Sequence, residues 1–140
     1  MKPWLPWALL SAMFAGLTAI LAKMGVSGID SNLATAIRTS VVVVLTWAIA
    51  LVAVPLTSLS HIRARSWLFL TLSGLATGLS WLCYFRALKL GEASRVAPID
   101  KLSVVFVVVF AALFLGERLT FAGVAGALLI TAGAVVLAVQ

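Results

Sequence analysis

Long uncharged apolar runs, separated by short polar connections, make up most of this chain. A bilayer core about 30 Å thick takes around 20 helical residues at 1.5 Å each. Five runs meet that length: Trp4 to Ala22, about Asn32 to Leu56, Trp67 to about Leu88, about Ser94 to Leu115, and about Thr120 to Val139. They are too long for barrel strands and lack the polar–apolar alternation such strands show. The pattern predicts an all-α, polytopic membrane protein with five transmembrane helices in a single domain over residues 1–140.

The connections carry local signals. Asp30-Ser31-Asn32 is a good capping sequence for the second helix. In Gly116-Glu117-Arg118-Leu119-Thr120, Gly116 can end one helix in a left-handed turn and Thr120 can cap the next. Glu117 then lies near the positive end of the fifth helix dipole. Spans four and five should form an antiparallel hairpin. Lys2 followed by an apolar stretch resembles a secretory signal. The uncharged run from Pro3 to Ala22 is nevertheless long enough to span, and Trp4 and Trp7 suit a headgroup belt. With no small-x-small cleavage site before Lys23, this run is read as a retained first helix.

Composition narrows the function classes. Of 140 residues, 64% are hydrophobic and 10% charged, whereas a soluble domain has about a quarter charged. The net charge of +6 comes from basic residues scattered singly at the edges of apolar runs, which is how topology signals look. A phosphate-tracking patch would be clustered, so nucleic acid is not an expected partner. Cys83 is the single cysteine, so no internal disulfide framework is possible. His61 sits in a short basic loop with no second His or Cys near it, and reads as a solvated loop residue. The chain has no metal-ligand spacing, no glycine-rich phosphate loop and no nucleophile–base arrangement. It is not expected to be an enzyme or to hold a metal or cofactor.

An odd number of spans puts the two termini on opposite sides; the N-terminal side is called A and the other B. Lys2, Arg63, Arg65 and Arg118 give side A four basic residues. Lys23, Lys89 and Arg95 lie in or beside side-B connections, with Arg38, Arg86 and Lys101 displaced into the side-B ends of helices. Four against three or six gives no firm orientation by the positive-inside rule. Both a fixed and a dual insertion remain open.

Helix direction places Lys23, Arg38, Arg86, Asp100 and Lys101 all in the side-B half of the bilayer. A charge near mid-bilayer costs about 2.5–3.5 kcal/mol on insertion scales, and long side chains near an interface escape part of that by snorkelling. Lys23 and Arg86 are accordingly read either as gating residues or as headgroup contacts, and Lys101 can snorkel in the same way. Arg38 lies deeper, and the short Asp100 side chain cannot snorkel far. Asp100 can pair with Arg38 or Lys101 as a structural ion pair, or these residues can form a site for a polar or anionic substrate with Asp100 as proton carrier. Pro98 just ahead of them removes a backbone donor and can bend span four.

On span three, Ser73, Thr77, Ser80, Trp81 and Tyr84 fall on one polar–aromatic stripe suited to a cavity wall or to ordinary packing. Gly74 and Gly78 form a small-xxx-small pair, and Gly126 and Gly133 share nearly one face of the uncharged last helix. Both pairs suit helix packing within the chain or between two copies.

The run Ala87-Leu88-Lys89-Leu90-Gly91-Glu92-Ala93-Ser94, then Val96-Ala97-Pro98-Ile99-Asp100-Lys101-Leu102-Ser103, then Leu115-Gly116-Glu117-Arg118-Leu119, and then Gly126 to Gly133 resembles the EamA domain of the drug/metabolite transporter superfamily. Lys23 and Arg38 also fit that domain's N-terminal half. The resemblance covers essentially the whole chain. It implies a secondary transporter fold, of which larger members carry two domains in tandem, about ten helices with inverted topology. This chain is similar to the short five-helix bacterial and archaeal group, which implies half of an inverted-repeat ten-helix transporter in a prokaryotic inner membrane. The glycine spacing of the last helix is also similar to that of small multidrug resistance proteins, which act as antiparallel dimers. Span one here contains no glutamate, so their proton-coupling carboxylate cannot be carried over, and Asp100 is a substitute candidate.

The leading expectation is a secondary active transporter of small metabolites or drugs, working by alternating access as a homodimer in lipid. Arg38, Asp100 and Lys101 would hold or gate substrate while Trp81 and Tyr84 line the cavity. The alternative is a non-transporting membrane subunit or a lipid-carrier flippase partner, with the side-B basic residues meeting headgroups.

Overall fold

Backbone amides buried in hydrocarbon must bond within their own segment, so apolar runs of this length have little choice but helix. A computed structural model describes residues 3–139 and contains α1 (Leu5–Gly25), α2 (Ser31–Ala53), α3 (Ala64–Leu90), α4 (Ala93–Asp100), α5 (Ser103–Phe114) and α6 (Phe121–Val139). A short 3-10 turn, Leu56–His61, joins α2 to α3. Five helical stretches are long and apolar enough to cross a membrane, with α4 and α5 together forming the fourth. The fold is all-helical, as its sequence predicts, with five spans, half the complement of an inverted-repeat ten-helix transporter. Lys2, one of the topology charges, lies outside the described residues.

The caps fall where local chemistry puts them. Asp30 Oδ1 accepts from the N–H of Asn32 at 2.8 Å and of Leu33 at 3.4 Å, closing the start of α2. At the other hairpin, Gly116 takes φ +66, and the Glu117 N–H donates back to the Ala111 carbonyl at 3.2 Å. Thr120 Oγ1 then accepts from the Gly123 N–H at 3.1 Å.

All five expected spans are present, and two of them differ in detail. The second helix ends at Ala53 rather than Leu56, because Val54 precedes a proline and is driven into extended backbone (φ −136, ψ 133). The fourth span, Ala93–Phe114, is interrupted between α4 and α5. After Pro98, four short-range bonds mark the break: Lys101 N–H to Pro98 C=O at 3.1 Å, Leu102 to Ile99 at 3.0 Å, Val104 to Lys101 at 3.0 Å, and Val105 to Leu102 at 2.9 Å. Each spans i to i−3, so the chain tightens into 3-10 geometry through the break.

The helices group into two compact units, one containing α4, α5, α6 and most of α1, the other α2 and nearly all of α3. In the first, α6 packs on both α4 and α5, and Ala19, Ala22 and Ala134 are buried. In the second, burial is concentrated at Val26, Ser31, Ala34 and Thr35 around the start of α2, and at Phe85 and Leu88 near the end of α3. By helix direction these are all side-B positions. Toward side A, residues such as Val44, Val52, Leu70 and Leu75 stay exposed. Lipid tails are as apolar as leucine, so such exposure carries no hydrophobic penalty within a bilayer.

Candidate functional site

Arg38 lies seven residues into α2, about 10 Å along the helix from its side-B start. Its carbon Cζ stands 4.2 Å from the centroid of the Trp81 ring and 5.6 Å from that of Phe85. Trp81 and Phe85 are four residues apart on α3, so their rings share one face of that helix. Tyr84 meets Phe85 edge to face, with centroids 6.5 Å apart and planes at 69°. A cation over an aromatic face is favoured by the ring quadrupole, more so where water is excluded. The Arg38 Nη1 atom is closed off from solvent and has no hydrogen-bond partner among the described residues.

The arginine and the rings are held in register from below. Lys89, in the last turn of α3, donates its Nζ to the Ile29 carbonyl at 2.8 Å, pinning the end of α3 to the connection that starts α2. Asp30, in that same connection, has its carboxyl held below the ordinary 3.8, first by the Asn32 and Leu33 amides and then by the positive charges of Lys89 and Arg86. A carboxylate lowered in the folded state stabilises fully above its ordinary value, and that contribution is lost as pH falls through the lowered one. Acidification below pH 3.8 is therefore expected to lower the thermal midpoint of wild type. Asp30→Asn keeps an acceptor oxygen but does not titrate, so its melting curves should show a shallower acid limb.

The first unit holds the other charged candidates. Asp100 and Lys101 stand at the break between α4 and α5 and pair with each other at 3.5 Å. A shallow groove beside the break is lined by Ala97, Pro98 and Lys101 on one side and by Ile130, Gly133 and Leu137 of α6 on the other. Lys23 donates to the Gly91 carbonyl at 2.7 Å, across the turn that leads into α4. Its ammonium thus ties the end of α1 to that turn. Arg95 pairs with Glu92 at 3.2 Å on the same turn.

The span-three stripe divides along its length. Trp81 and Tyr84 are part-buried, while Ser73, Thr77 and Ser80 are exposed, and Thr77 Oγ1 turns back to the Ser73 carbonyl at 2.9 Å. Phe85, only 3% exposed, is a member that the stripe did not single out. Its signal was present in the sequence: an i, i+4 pair with Trp81 on a helix end that shares side B with an intramembrane arginine. None of Gly74, Gly78, Gly126 and Gly133 has an atom within 4 Å of where a Cβ would stand, so no close backbone approach occurs at them among the described residues.

Charged side chains placed within spanning segments, and a span broken beside them, are features of proteins that move solutes through membranes. Residues 2–139 match the model of the EamA-like transporter family, and the chain belongs to that family. It is also similar to a protein of Sinorhizobium sp described as an uncharacterized transporter in cobO 3'region. The two are 57% identical over 138 residues, covering 99% of this chain and 98% of that one. No solved structure matches.

Proposed function

We propose that this protein is a secondary active transporter of small metabolites or drugs, acting by alternating access as a dimer in a prokaryotic inner membrane. The observation that carries this reading is the broken fourth span, where the regular helix ends at Asp100, two residues past Pro98, and an Asp100–Lys101 pair sits at the break. Discontinuous helices place backbone and charge at substrate and ion sites in secondary transporters, and they supply a joint about which segments can rock. In this reading Asp100 is the coupling group. It is the only carboxylate within the five spans, since Asp30, Glu92 and Glu117 lie in connections. Lys101 acts as its counter-charge, exchanged for a proton or substrate during the cycle.

Uptake by purified protein in liposomes, over a metabolite panel and with or without a pH gradient, tests the coupling. Saturable uptake driven by the gradient is expected in wild type, with a loss of at least about tenfold in Asp100→Asn. Full gradient-driven uptake in that variant removes Asp100 from the mechanism. Failure to move any soluble solute, together with specific co-purification of lipid, favours a flippase partner or non-transporting subunit instead.

A second copy inserted upside down would supply the missing inverted half. The open glycine faces of α3 and α6 are the surfaces we assign to that contact, because small residues let helix backbones approach closely in lipid. Gly126→Leu is expected to reduce self-association, measured by energy transfer between labelled copies, while leaving the protomer's own melting unchanged.

A further inference from the structure

We propose that Arg38 is the anion-binding residue of the transport site and that the transported solute carries a carboxylate beside an apolar or aromatic group. This rests on the transporter reading above and adds the class of substrate.

Trp81 lies nine residues before the end of α3, about 13–14 Å along its axis, while the Arg38 backbone is about 10 Å into α2. The guanidinium lies 4.2 Å from the Trp81 ring and 5.6 Å from the Phe85 ring. Its nearest aromatic partner is thus borne by a residue more than two turns inside the end of α3, not by the headgroup edge.

Three of the four carboxylates in the chain have local duties: Asp30 caps α2, Glu92 pairs with Arg95, and Asp100 pairs with Lys101. The fourth, Glu117, lies in the α5–α6 connection on side A, whereas Arg38 is in the side-B half. Among the described residues Arg38 makes no ion pair, its guanidinium lies over ring faces, and its Nη1 donates to nothing.

A guanidinium can meet an aromatic ring through a face and a carboxylate through its in-plane N–H groups, so the Trp81 contact and an oxyanion are compatible. The unpartnered Nη1 is shut off from solvent in this state, so an anion reaches it when the contacts around Arg38 open. The part-buried Trp81 and Tyr84 then supply apolar surface for the rest of the solute. A cationic solute would meet a fixed positive charge lying over the rings it would need.

Isothermal titration of the full-length protein in nonionic detergent tests this with three near-isosteric probes: phenylacetate, phenylacetamide and phenethylamine. Phenylacetate should bind at least about tenfold more tightly than the amide, with no measurable binding of the amine. Arg38→Gln should weaken phenylacetate binding about 10- to 100-fold, the range for removing a charged hydrogen-bond partner. Arg38→Lys should restore part of it, and Trp81→Leu, which keeps the charge, should weaken it by a smaller factor. Circular dichroism and a single size-exclusion peak qualify each variant. Preferred binding of the amine, equal affinity for acid and amide, no binding of the acid, or Arg38→Gln affinity within twofold of wild type overturns the proposal.

An anionic headgroup offers the same chemistry from another source. Repeating the titration in nanodiscs of phosphatidylcholine with and without phosphatidylglycerol separates the two. Unchanged phenylacetate affinity supports a soluble anion, whereas its loss with phosphatidylglycerol overturns the solute assignment in favour of lipid. The two readings can also fail separately. Uptake of cationic or neutral solutes retained in Arg38→Gln removes the anion site and leaves the transporter standing. Arg38-dependent binding of phenylacetate without flux of any solute leaves the site and removes the transporter.

Discussion

Arg38→Met is expected to abolish solute uptake while leaving the protein as stable as wild type or more so. On insertion scales an arginine near the bilayer centre costs about 2.5–3.5 kcal/mol, and less at this residue's shallower depth. The ring contacts return up to about 2 kcal/mol when desolvated. Methionine is long enough to reach the same rings, and a sulfur–aromatic contact contributes about 0.3–1.5 kcal/mol with no charge to solvate. The balance favours the variant by roughly 0–2 kcal/mol. Parallel measurements of thermal midpoint and liposome uptake check this. A structural arginine would give the opposite pattern, a large loss of stability with function declining only in proportion.

The second large effect is on stability. Leu88 is fully buried, at 0% exposure, in the last turns of α3. In a membrane protein the exposed alternative for a leucine is lipid, so the transfer part of a Leu→Ala loss largely disappears. What remains is the cavity and the dispersion contacts its lining forfeits. Leu88→Ala is expected to cost about 2–3 kcal/mol, toward the lower part of the range seen in water-soluble cores. Leu79→Ala on the same helix is the control, because Leu79 is 66% exposed and leaves no cavity. Its cost should stay below about 0.5 kcal/mol. Reversible unfolding in mixed detergent micelles compares the two. Equal losses would mean that helix propensity, not packing at the side-B end, sets the stability of α3.

These expectations share a structural cause. Packing and polar contacts concentrate where α2 begins and α3 ends, and the same end of α3 carries Trp81, Tyr84 and Phe85. Lys89 is a clear case of a charge serving as a positioning residue. Its bond to Ile29 holds the two helix ends together, which keeps the arginine over its rings. Lys23 has a parallel place in the other unit, tying the end of α1 to the turn before α4.

The sequence alone determined the five spans, because apolar length is a property of contiguous residues and a helix satisfies its backbone bonds within one segment. It determined the caps at Asp30 and Thr120 and the left-handed turn at Gly116 for the same reason, since each involves atoms only a few residues apart. The break in span four was half legible: Pro98 announced a missing donor, but where the backbone would tighten depended on the bonds through Val105. The partners of the charged residues were decided by tertiary structure. Sequence offered Asp100 two cations and gave Arg38 no aromatic partner. The rotation of α2 against α3, 43 residues apart at the contact, set Arg38 on Trp81 and Phe85. Periodicity assigns a residue to a face of its own helix; which neighbour that face meets depends on how distant helices pack, and that lies outside any local stretch of sequence.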